Sequence, residues 1–238
     1  MQRTLLLFAL TIASLFSFAQ NEKLINDKNA EKRSVKGFHA IRISGGIDLY
    51  LTQGKDEAVA VSAASVSIRN KIRTEVEDGT LKIFMDNDGE HWGSGHVNMK
   101  AYVSFSTLDA LSASGGSDVY VEEALKLEKL KIVLSGGSDM KGKVSIGELS
   151  ITQSGGSDIT LTGNASHLIV TASGGSDLHG YDLATETCNV SATGGSDVHI
   201  LVNKELTATA SGGSDVYYKG AASVKQVSSG SGSVSKKG

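Results

Sequence analysis

Leu149-Ser-Ile-Thr-Gln-Ser-Gly-Gly-Ser-Asp-Ile159 returns 19 residues later as Leu168-Ile-Val-Thr-Ala-Ser-Gly-Gly-Ser-Asp-Leu178. The tetrapeptide Gly-Gly-Ser-Asp occurs six times, ending at Asp118, Asp139, Asp158, Asp177, Asp197 and Asp215, with spacings of 21, 19, 19, 20 and 18 residues. A worn seventh copy, Ser229-Gly-Ser-Gly-Ser233, ends 18 residues after Asp215, and an upstream relative reads Ser44-Gly-Gly-Ile-Asp48.

Aligned on the aspartates, the copies form columns. Nine residues before stand Leu130, Leu149, Leu168, Cys188, Leu206 and Val224. Seven before stand Leu111, Ile132, Ile151, Val170, Val190 and Ala208; one after stand Val119, Met140, Ile159, Leu178, Val198, Val216 and Val234. Five before, the residues are mostly small (Ala113, Ala172, Ala192, Ala210), with Leu134 and Gln153 as exceptions. Polar residues largely occupy the alternate positions. Period-two alternation predicts strands with one buried face. A repeat of this length carries two or three short strands with corners, and parallel stacking of such repeats gives a β-solenoid with coils of about 19 residues. No coil can bury its apolar face alone; its neighbours complete the core.

The corners fall on the glycine pairs Gly45-Gly46, Gly115-Gly116, Gly136-Gly137, Gly155-Gly156, Gly174-Gly175, Gly194-Gly195 and Gly212-Gly213. Glycine reaches positive φ and permits close backbone approach, while serine and aspartate bond nearby N–H groups at a bend. By parity the aspartate and the first serine face outward, and the second serine faces inward. The six aspartates then form a column at the strand spacing of about 4.8 Å. Two unit charges at that distance repel by about 0.9 kcal/mol in water and about 3.5 kcal/mol at an effective dielectric of 20. Backbone N–H groups, hydroxyls or cations must relieve the repulsion. Calcium is one candidate, since it takes carboxylate and carbonyl oxygen. The calcium nonapeptide, however, has GGxGxD with half this period. The corner reading therefore leads, with a calcium column at Asp118 to Asp215 as its alternative.

The first twenty residues, MQRTLLLFALTIASLFSFAQ, place one basic residue before a short apolar run and end with small Ser17 and Ala19. This pattern predicts a cleaved signal peptide over 1–20. No cysteine follows the run, and no second apolar run appears, so the expected mature chain is exported and has no transmembrane segment. Residues 21–34 read as a polar leader or a short first strand. Residues 35–238 read as one solenoid domain, with an irregular portion over 35–110 and the repeat coils over 111–234.

Composition narrows the function classes. The 238-residue chain has no proline, one cysteine and a net charge of −3. That excludes a proline-rich stalk and a disulfide framework, and gives no basic footprint for nucleic acid. The outward threonines Thr152, Thr171 and Thr209 share a column that Ser112, Val133 and Ser191 interrupt, so no flat threonine ladder results. His179 and His199 each follow an aspartate by two residues and face outward on successive coils, a pattern that reads as two surface histidines with a zinc or copper patch as the alternative. Asp86 to His96 brings together carboxylates, His91, His96 and the single tryptophan Trp92 without a metal-ligand spacing; it reads as a polar hairpin loop, with a metal or sugar contact as the alternative. Cys188 occupies a leucine column, which predicts a buried inert thiol. No nucleophile motif is present.

Gly37-Phe-His-Ala-Ile-Arg-Ile-Ser-Gly-Gly-Ile-Asp-Leu-Tyr-Leu-Thr-Gln-Gly54 resembles the opening of the putative auto-transporter adhesin, head GIN domain family. Thr74 to Ile83, Val97 to Leu111 and the string of Ser-Gly-Gly-Ser-Asp corners fit it too, over about Ser34 to Gly220. The triplet Gly-Ile-Asn that names the family is here Gly46-Ile47-Asp48. The resemblance implies a secreted, single-stranded right-handed β-helix of the bacterial cell envelope, without an established enzyme activity. The expectation is a non-catalytic, adhesin-like protein, periplasmic or on the outside, presenting a Ser/Asp surface to a protein or glycan. The alternatives are a carbohydrate-active β-helix enzyme and a calcium-binding repeat protein. No catalytic residue and no bound cofactor are expected.

Overall fold

The protein is described by a computed structural model covering residues 27–86 and 98–238. The expected signal peptide, and Asn87 to His96 of the loop singled out above, lie outside the described residues. Strand β1 (Glu31–Arg33) realises the first-strand reading of the leader. Strands β2 (Ala40–Ser44) and β3 (Ile47–Gln53) flank the first Gly-Gly corner. Then come β4 (Ala58–Ala63), a one-turn-and-a-half helix α1 (Val66–Lys71), β5 (Ile72–Glu77), β6 (Thr80–Met85) and β7 (Met99–Phe105). Ser65 caps α1 by accepting from the Ile68 N–H.

From β8 (Ala110–Ser114) and β9 (Val119–Val121) onward the chain climbs regularly. Strand β10 (Leu125–Ser135) leads to four long strands: β11 (Met140–Ser154), β12 (Asp158–Ala172), β13 (Asp177–Ala192) and β14 (Asp197–Ala210). Strands β15 (Asp215–Lys219), β16 (Ser223–Ser228) and β17 (Ser233–Lys236) finish the stack. Each long strand spans the whole distance between two glycine corners, so it must bend. Instead of two or three separate short strands, the coil is one bent strand whose parallel ladder continues through the bend. Register shifts mark the bends, at Thr160/Gly163 between β12 and β13 and at Gly180/Ala184 between β13 and β14. At Gly163, with φ +109°, a side chain would strike the Val144 carbonyl of the coil before.

Pairing is in register from coil to coil. Leu149 sits on Leu168, Leu168 on Cys188 and Cys188 on Leu206. The columns read from sequence are the core, and Ser117, Ser138, Ser157, Ser176, Ser196 and Ser214 are all 0% exposed, as parity predicts. Cys188 is buried, and burial raises its thiol pKa far above the ordinary value.

The stacking order departs from chain order at the N-terminal end. The β2–β3 coil lies between the β6–β7 coil on one side and the β8–β9 coil on the other. Beyond β6 and β7 the polarity reverses. Strand β5 runs antiparallel to β6, β4 antiparallel to β7, and β1 antiparallel to β4. Phe38, Val59, Val61 and Ile72 are buried in this region. The 35–110 portion is thus two coils of the solenoid plus its cap.

Candidate functional site

The corners decide what the surface presents. The first glycine of each pair is left-handed throughout, at φ +79° for Gly155. A Cβ there would lie 3.0 Å from the Gly136 nitrogen of the coil below. The corners themselves form a ladder: the Gly175 N–H donates to the Gly155 carbonyl at 2.8 Å, and Gly195 to Gly174 at 2.7 Å. The second glycine is left-handed only in the first three corners, at Gly46, Gly116 and Gly137. Gly156 lies outside the left-handed region and a Cβ there would meet nothing within 4 Å, so the expected constraint on both glycines holds at 155 and fails at 156. Gly175, Gly195 and Gly213 follow Gly156.

The same tetrapeptide therefore folds two ways. In the early corners the inward serine accepts from the coil before: the Ile47 N–H donates to Ser117 Oγ and the Ser117 N–H to Ser138 Oγ, both at 3.1 Å. In the later corners the hydroxyl donates within its own turn, from Ser157 to the Ser154 carbonyl and from Ser176 to the Ser173 carbonyl. Gln153 stands at the changeover. Its Nε2 donates at 2.9 Å to the Ser157 and Asp177 carbonyls, while its Oε1 is buried without a partner.

The outward aspartates are tied to the coil that follows. Asp118 Oδ1 accepts the Asp139 N–H at 3.0 Å, Asp139 Oδ1 the Asp158 N–H at 3.0 Å, and Asp177 Oδ1 the Asp197 N–H at 3.1 Å. Asp215 Oδ1 accepts from Ser233 Oγ at 2.5 Å. Repulsion along the row still registers. Burial and then the neighbouring carboxylates Asp139 and Asp177 raise the pKa of Asp158; burial and then Asp118 raise that of Asp48. At the row's end the Ser233 and Tyr217 hydroxyls hold Asp215 below its ordinary value.

Two residues after each aspartate runs a second column, whose full length sequence reading missed. In stacking order it is Tyr102, Tyr50, Tyr120, Lys141, Thr160, His179, His199, Tyr217 and Ser235. Its rings stack in two groups. Tyr50 lies 5.3 Å from Tyr102 and 5.2 Å from Tyr120, centroid to centroid. His199 lies 5.6 Å from His179 and 5.0 Å from Tyr217, with Tyr181 edge-on at 5.1 Å. Lys100, Lys219 and Lys237 place ammonium groups over Tyr50, Tyr181 and Tyr217. The hydroxyls of Tyr120 and Tyr217 donate to the aspartates beside them. The motif-plus-two position carried the signal for five of the six rings; Tyr102 joins only through the displaced β7.

The histidine pair shares this column but is not arranged as metal ligands. Imidazole lone pairs lie in the ring plane, and rings stacked with an interplanar angle of 22° do not aim them at one point. Among the described residues no three His, Cys, Asp or Glu side chains converge on a common centre. Two concavities among the described residues are open to solvent. One of about 390 Å³ is lined by Arg42, Glu77 and Lys82, another of about 510 Å³ by Lys129, Glu148 and His167. No helix among those residues is long and apolar enough to cross a membrane.

This architecture defines a class: a capped β-solenoid whose repeat builds a surface of ladders. The chain belongs to the putative auto-transporter adhesin, head GIN domain family, whose profile matches residues 37–222. No curated protein matches it significantly. Its fold is similar to that of a putative adhesin from Bacteroides fragilis NCTC 9343, with 21% identity over 87% of this chain and 96% of that one and a TM-score of 0.79. A putative adhesin from Parabacteroides merdae ATCC 43184 aligns with 20% identity over 88% and 95% and a TM-score of 0.70. A putative lipid binding protein from Parabacteroides distasonis ATCC 8503 aligns with 18% identity over 89% and 98% and a TM-score of 0.67. At these identities the likeness is one of fold.

Proposed function

We propose that the protein is a non-catalytic, adhesin-like module of the bacterial envelope, exported by its N-terminal segment, which binds a glycan or protein on the face where the aspartate row and the Tyr/His column run side by side. The observation that carries this reading is the juxtaposition itself. Seven carboxylates from Asp48 to Asp215 and six aromatic rings line one side of the stack, held by coil-to-coil hydrogen bonds. Tyrosine supplies contact area at low entropic cost, and carboxylates select polar, donor-rich partners.

Catalysis by paired carboxylates asks for two acids in different environments within a cleft. Here the acids repeat along a ladder. A lipid-binding reading, prompted by one structural relative, asks for an apolar cavity; the coil interior here is filled by the Leu, Ile and Val columns. Binding of the purified protein to a glycan array and to envelope protein preparations, compared with a Tyr120→Ser/Asp158→Asn/His179→Ser variant, tests the face. Loss of the recovered ligand by that variant, with its melting temperature kept, is the expected result; undiminished binding moves the site elsewhere.

A further inference from the structure

The C-terminal ring stack differs from the N-terminal one in a single chemical respect: it contains imidazoles. In the first group the column is Tyr102, Tyr50, Tyr120, and hydroxyl-bearing rings stay neutral through the physiological range. In the second, His199 is packed between the faces of His179 and Tyr217, with Tyr181 against its edge. Its Nδ1 is buried without a hydrogen-bond partner. A proton on this ring would put a cation between two ring faces, one of them a second imidazole.

We propose that the His179–His199–Tyr217 stack is an acid-sensitive joint, in which protonation of the central His199 ring loosens the C-terminal coils β13 to β15 and with them that half of the ladder face. Regulation of binding rests on the face proposed above; the loosening does not.

The surrounding charges set the size of the effect. From β13, Asp177 and His179 face His199; from its own strand, Asp197; from β15, Asp215 and Tyr217; and Lys219 and Lys237 lie over Tyr181 and Tyr217. The carboxylates of Asp197 and Asp177 and a backbone hydrogen bond with Leu178 favour a protonated ring. Burial and His179 disfavour it and prevail, so the His199 pKa is lowered from its ordinary 6.5. The sign follows. A base whose folded pKa is depressed contributes stability that is present above 6.5 and is lost as pH falls from there through the folded value. Asp48 and Asp158, with raised pKa values, act in the opposite direction, and the comparison with His199→Tyr, which keeps both carboxylates, isolates the histidine contribution.

The test measures thermal unfolding and amide hydrogen exchange at about pH 7.5 and about pH 5.5 for the protein, for His199→Tyr, and for His39→Gln as a remote control. Tyrosine already fills this column in four coils, so His199→Tyr keeps a stack and removes the central imidazole. The parent and the control are expected to lose about 2–4 °C more than His199→Tyr between the two conditions. Exchange should quicken in residues 197–219 of the parent and the control but not of His199→Tyr. A second variant, His179→Thr, repeats the residue of the coil before, and the His199 ring should then titrate closer to 6.5 by NMR. Equal losses in all variants, or a His199 titration unmoved by His179→Thr, would overturn the proposal. Because no ligand enters these measurements, a failed ligand search leaves the result readable.

Discussion

Glycine at 155 and glycine at 156 are the same letter twice, yet only one answers to a steric demand. Gly155 is left-handed and its missing Cβ makes room for the Gly136 nitrogen. Gly155→Ala should cost about 1–3 kcal/mol, read by urea denaturation, whereas Gly156→Ala should leave the midpoint close to the parent's. Nothing in the structure explains why residue 156 is glycine. The aspartates obey a similar distinction between shape and charge. Asp139 Oδ1 accepts the Asp158 N–H, and an asparagine amide oxygen can do the same. Asp139→Asn should therefore change stability little, while Asp139→Ala should cost about 1 kcal/mol for a lost hydrogen bond. If this account of the row holds, millimolar calcium shifts the melting temperature little. A shift of several degrees abolished by Asp158→Asn would instead make the row a cation site.

At the level of the element, the long strands owe their continuity to the coil below rather than to their own sequence. Strands β11 to β14 carry polar and glycine residues at their bends, and the parallel ladders resume on either side of each irregularity. Gln153 shows how one inward position manages a change of corner. It stands in a column of alanines and Leu134, and its amide donates to two carbonyls, those of Ser157 and Asp177. Gln153→Leu matches the apolar column but leaves the Ser157 and Asp177 carbonyls without that donor. Destabilisation of about 1–3 kcal/mol in a urea melt is expected; a stabilised variant would show that the orphaned Oε1 had dominated.

Across the whole molecule, a parallel stack has two ends, and each unpaired end is a template for another chain. The N-terminal end is closed by antiparallel β1, β4 and β5. At the C-terminal end the columns turn polar instead. The column Ile151, Val170, Val190, Ala208 ends in Gln226, and Ala172, Ala192, Ala210 ends in Ser228. Tyr218 is followed by Lys236. Inward-facing polar and charged residues on an edge strand discourage end-to-end pairing. Replacing Gln226, Ser228 and Lys236 by Val, Ala and Ile should promote association, visible as a concentration-dependent sedimentation coefficient that the parent lacks.

The repeat by itself determined the coil length, the core columns, the inward serines and the outward aspartates, because period-two alternation and in-register stacking are local and repeated. Every one of those positions is read at fixed distances from Gly-Gly-Ser-Asp. What tertiary structure alone decided has in each case a partner far away in sequence. The β6–β7 coil sits outside β2–β3, with antiparallel β4 and β5 on its far side, so Tyr102 stacks on Tyr50 although no motif announces it. Identical corners fold in two ways because the inward serine can accept from one coil or donate within its own. The aspartates are satisfied by the following coil's N–H, a bond that exists only once the coils are stacked, and the acid–aromatic face exists for the same reason.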